Sequence, residues 1–164
     1  MVSGPRRVRE QRRFGGVRLD PGRHRRVLPE APRQEPPPSF TGSVPEWLVY
    51  QELERQGLRG SGGGHAPDAP NPDFDFQSAH FGGRTRPGGL IADFLFYNPP
   101  GLAFSILGSY YHETSQIEAR DLNNEQRMAS LGYRLIFIEE DDILEDVTRV
   151  VSDGLRGIDN SRLR

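Results

Sequence analysis

Apolar residues are sparse over the first forty positions and then fall into short blocks whose spacing switches between the helical and the extended period. Ser43-Val44-Pro45-Glu46 reads as a helix start, with Ser43 as cap and Pro45 in the first turn, and Trp47, Leu48, Val49, Tyr50 and Leu53 make an apolar stripe that ends at Gly57. Residues 60–72 are rich in Gly and Pro and read as a loop, with Gly62-Gly63-Gly64-His65 as a flexible piece of it. Phe74-Asp75-Phe76-Gln77 alternates as a strand, residues 82–89 form a turn, and Leu90 to Tyr97 is a second, more buried strand. A turn at Asn98-Pro99-Pro100-Gly101 leads to a third strand, Leu102 to Leu107; after Gly108 the chain leaves the sheet. Residues 116–131 predict a helix closed by Gly132, with Ile117, Leu122, Met128 and Leu131 among its apolar positions. Tyr133 to Ile138 predicts a fourth strand, and Asp146 to Leu155 a last helix closed by Gly157. The expected fold is therefore α/β (α+β): helix, three strands, helix, strand, helix, with a mixed four-stranded sheet covered by helices on both faces.

The region before this pattern has a different composition. Residues 1–41 hold 10 Arg against 4 acidic residues, and the remainder holds 11 Arg against 19 acidic residues, so balances of +6 and −8 sit behind a net charge of −2. With Pro5, Pro21, Pro29, Pro32 and Pro36-Pro37-Pro38 and few apolar residues, 1–41 lacks the surface to order itself and is expected to be an extended arm before a domain at 42–164. Arg6-Arg7, Arg12-Arg13 and Arg25-Arg26 are its candidate binding residues, for other protein subunits or for DNA phosphates.

Composition removes several chemistries. The chain has no Cys, which excludes disulfides, thiolate nucleophiles and Cys-ligated zinc; no zinc is expected. Every basic residue is Arg, so no mechanism can use a lysine. No apolar run approaches the roughly 20 residues of a membrane span, and the expected location is the cytoplasm or a phage particle assembled there.

Two short segments suggest a family. Ala92-Asp93-Phe94 places an acid within the second strand, and Gly108-Ser109-Tyr110-Tyr111-His112 follows the third as a Gly-x-aromatic-aromatic-His motif. With the element order, these residues resemble the restriction-endonuclease-like, or PD-(D/E)XK, superfamily, and within it the very short patch repair endonucleases, over about residues 43–157. The resemblance implies that Asp93 and the main-chain carbonyl of Ile106 hold a magnesium ion that activates water at a phosphodiester, with His112 close to the phosphate. Glu46 matches an acid that many members place beside the metal, although an acid in a first helical turn also suits the helix dipole. Where those members carry Glu or Gln and Lys, or a His before the Gly, this chain has Ser105-Ile106-Leu107. Leu107 can neither bind a metal nor take a proton.

Weaker candidates surround these. Asp73 and Asp75 share a strand face and could extend an anionic site, though such residues are common at turns; Glu113 adjoins His112; Glu139-Glu140-Asp141-Asp142 with Glu145 and Asp146 follows the fourth strand and suits a helix start. Two functions are thus expected from the sequence. One is a catalytically degenerate nuclease fold acting in binding or assembly through its arm; the other is a magnesium-dependent DNA endonuclease.

Overall fold

Ser43 starts the first helix, α1 (Val44–Arg55), through a reciprocal cap. Its backbone N–H donates to Glu46 Oε2 at 2.5 Å and its Oγ accepts from the Glu46 N–H at 3.5 Å, satisfying two donors that a helix start leaves open. The computed structural model describes residues 35–80, 89–108 and 115–162. The chain divides into Met1–Pro32 and Arg33–Arg164, and all described residues belong to the second unit.

After α1 come β1 (Gly60–Ser61), β2 (Phe74–His80), β3 (Leu90–Phe96), β4 (Leu102–Leu107), α2 (Ser115–Ser130), β5 (Arg134–Glu139) and α3 (Glu140–Leu155), then a 3₁₀ turn at Asn160–Arg162. They form an α+β fold whose sheet has the order β1-β2-β3-β4-β5. β2, β3 and β4 are successively antiparallel, and β5, reached through α2, runs parallel to β4. The sheet has five strands where four were expected. Gly60 and Ser61, inside the predicted loop, pair in parallel with Phe74 and Asp75. A two-residue strand has no alternation to reveal it.

The pleat sends alternate residues to opposite layers. Phe74, Phe76, Phe94, Phe96, Phe104, Ile136 and Ile138 pack with Trp47, Val49, Tyr50 and Leu53 of α1 and with Ile143, Val150 and Val151 of α3. Leu95, Ala103, Leu135 and Phe137 pack with Met128 of α2. Helices therefore cover both faces. Phe40 is also buried, its ring 4.9 Å from those of both Trp47 and Phe76, so the packed unit extends back past the boundary expected at Thr41.

The last helix begins six residues earlier than predicted, at Glu140, and is kinked at Asp146, whose backbone is non-helical. There Asp146 Oδ1 accepts the Arg149 N–H at 2.9 Å, the bond of an N-cap, so the predicted start survives as an internal restart. Beyond α3, Asp159 accepts the N–H groups of Phe137 at 3.3 Å and Ser161 at 3.1 Å, tying the C-terminal turn to β5 at the sheet margin. Among the described residues, no helix is long and apolar enough to cross a membrane.

Candidate functional site

Asp93 stands where the sheet opens. The β3–β4 register runs from Phe96 opposite Leu102 to Phe94 opposite Phe104 and stops, while β4 stays in register with β5 as far as Leu107 opposite Glu139. The two central strands thus fork at Asp93. On the other side, β2 pairs Phe76 with Phe94 and Ser78 with Ala92, and the register skips the position of Gln77 and Asp93. Gln77 has φ +54°, a left-handed conformation unfavourable for a residue with a side chain.

The Asp93 carboxylate reaches across the fork. Its Oδ2 accepts the Ile106 N–H at 2.6 Å, a charge-assisted bond in a half-buried setting that stands in for a ladder bond. In an extended strand the N–H and C=O of one residue face the same edge, so the Ile106 carbonyl opens toward the fork as well. Leu107 is partly buried against the α2-side cluster. Glu46 is accounted for by the capping box on Ser43. His112 and Glu113, and Arg6, Arg7, Arg12, Arg13, Arg25 and Arg26, lie outside the described residues.

Magnesium prefers about six oxygen ligands in octahedral geometry. Among the described residues no group of three or more His, Asp or Glu side chains is placed to hold a metal. At the fork these residues offer one carboxylate, already holding an amide, and one carbonyl. That donor set does not by itself fit the ion.

The other acids have local tasks. Asp73 accepts the Arg59 N–H at 2.8 Å and the Asn98 amide at 3.2 Å, and these bonds hold its carboxyl below the usual range, the Arg59 backbone contributing most. Asp75, opposite Leu95, receives the hydroxyls of Ser61 and Tyr97. That bond, with partial burial, pushes the Tyr97 phenol up to about 12. A folded-state value above the unfolded one means stability present below about pH 10 and lost as pH rises through about 12. Burial also pushes the Tyr50 phenol up to about 12, so ultraviolet titration should show late-ionising tyrosines whose number falls by one in Tyr97→Phe; a Tyr97 ionising near pH 10 would contradict the bond.

Several residues escaped the sequence reading. Glu52 is buried at 2% exposure and takes two 2.7 Å bonds from the Arg55 guanidinium and one from Gln56. Its spacing to Arg55 is the one signal that pointed there. The glycine loop is tied down: the Gly62 N–H donates to Asp68 at 2.8 Å, and the Gly63 carbonyl accepts from Thr41 at 3.0 Å. His65 packs edge-on against Phe40, Trp47 and Tyr50. The stretch after β1 is a loop, as expected, and left-handed glycines let its backbone lie close on the aromatic layer.

No family model, no curated protein and no solved structure matches this chain.

Proposed function

We propose that this protein is a restriction-endonuclease-like domain that has lost phosphodiester cleavage and works in binding or assembly, for example within a phage particle, through its basic N-terminal arm. The observation that carries the reading is the engagement of Asp93 with the Ile106 amide at 2.6 Å, beside a Leu107 packed in apolar surroundings. A carboxylate in this position closes the fork, and the neighbouring side chain has no capacity for a proton. The helix, antiparallel meander, helix and parallel strand support the superfamily assignment, as does the fork at an acidic residue of the second meander strand.

The test uses the full-length chain with plasmid and single-stranded DNA in magnesium and in manganese. No appreciable cleavage is expected. Asp93→Ala should leave association intact and cost about 1.5–3 kcal/mol in urea unfolding, because the Ile106 N–H loses a charged acceptor. One feature favours a second reading, a magnesium-dependent endonuclease of the very short patch repair type: the Ile106 carbonyl opens to the same fork as Asp93. Metal-dependent cleavage that vanishes in Asp93→Ala would establish that reading instead.

A further inference from the structure

Gln77 is a non-glycine residue with a left-handed backbone in the middle of a strand, and it stands across from the fork. Such conformations persist only where the surroundings over-determine them, and two neighbours flank this one closely. The Thr41 hydroxyl donates to Gln77 Oε1 at 3.3 Å. On the backbone side, the Phe76 carbonyl lies so close to Gly62 that a Cβ there would come within 2.7 Å of its oxygen. Only a glycine fits at Gly62, and the peptide preceding Gln77 lies close against the loop there.

A left-handed residue rotates its flanking peptides away from the orientation a regular ladder needs. The skipped register at Gln77 and Asp93 is the expected result, with regular pairing resuming at Ser78 and Ala92. The β3 backbone at Asp93 is then relieved of flat pairing with β2 at the position where it turns from β4, and its side chain spans the fork to Ile106.

We infer that Gln77 is the positioning residue of the fork: its left-handed backbone, held by Thr41 and Gly62, interrupts the β2–β3 ladder and sets the Asp93 carboxylate on the Ile106 amide. This rests on the reading of the Asp93–Ile106 bond as the closure of the fork. It assigns no chemistry to Gln77 itself. What the position needs is a residue able to adopt positive φ, so Gly and Asn should substitute for it, whereas β-branched Val should not.

The experiment follows the Ile106 amide in ¹H–¹⁵N spectra of the full chain. Asp93→Ala is the reference and should displace the Ile106 resonance by removing the charged acceptor. Gln77→Val should reproduce that displacement while the protein remains folded, and Gln77→Gly and Gln77→Asn should keep the original resonance. If Gln77→Val does not fold, Gln77→Ala replaces it with a smaller displacement in the same direction, since Ala keeps the Cβ penalty of left-handed geometry that Gly escapes and lacks the side-chain bond to Thr41. General loss of stability would not single out this amide. An Ile106 resonance that stays put in Asp93→Ala means the bond itself is absent. One that moves in Asp93→Ala but stays put in the Val and Ala variants overturns the role of Gln77 alone, as does its displacement in Gln77→Gly.

Discussion

A chain that begins at Glu35 is expected to fold and to lose association with DNA or partner subunits almost completely. The deletion removes 10 of the 21 Arg residues, including all six candidate binding residues of the arm. The part from residue 42 onward carries a balance of −8, which repels a polyanion over most of its surface. Losing many phosphate contacts lowers affinity on the order of 10³-fold or more at moderate salt, and the salt dependence of any residual binding should flatten with it. A chain that begins at Gly42 is a different experiment, because it also strips Phe40 from between Trp47 and Phe76. That variant should be less stable by about 3–5 kcal/mol, the range for emptying a buried phenylalanine site. Mobility-shift titrations and urea unfolding of the two chains separate the effects. Undiminished binding by the chain starting at Glu35 would remove the arm from the proposed function.

Glu52→Ala should produce the largest loss of stability from a single charged side chain. Glu52 accepts from Arg55 and Gln56, and the same two donors continue to α3, Arg55 to Thr148 at 3.3 Å and Gln56 to Ser152 at 3.2 Å. One buried carboxylate thus orients both links between the helices on that face. The Arg55 side chain is 38% exposed and its guanidinium regains water when its partner goes, which moderates the penalty. The expected cost is about 2–4 kcal/mol, falling to about 1–2 for Glu52→Gln, which keeps the shape and one acceptor oxygen. A change under about 0.5 kcal/mol in Glu52→Ala would show that the helices are joined by apolar contact alone.

The parts of the fold that were legible in the sequence are those carried by period. The stripe from Trp47 to Leu53, the run from Leu90 to Tyr97 and the break at Asn98 each hold a repeated local preference, and the elements lie where those preferences end. β1 was invisible because parallel pairing of Gly60 and Ser61 depends on distant residues in β2. The early start of α3 showed only as an acidic run that suits a helix start, without the apolar period that would have extended the predicted helix back to it, and the burial of Asp142 at 2% exposure had no local sign. In the site, the sequence singled out Asp93 through its apolar neighbours, and Leu107 through its place in a motif. It held no sign of Gln77, because a left-handed glutamine is imposed by the close approach of Gly62 and by Thr41 rather than by its own preference. Nor did it show that Ile106 in particular would meet Asp93, since that depends on where two strands part.

The seating of Phe40 also decides how the domain would respond to tension. A pull along the chain from its N-terminal side enters this unit at Phe40, whose ring is stacked on Phe76 and tilted against Trp47, and then at Thr41, whose N–H is bonded to the Gly63 carbonyl. The first resistance is the extraction of an aromatic ring from the layer between α1 and β2, not the peeling of a strand. The next is the Thr41 hydroxyl on Gln77, which stands across from the fork at Asp93. Phe40, Thr41 and Gln77 thus connect the point where the chain enters this unit to the strand that faces Asp93.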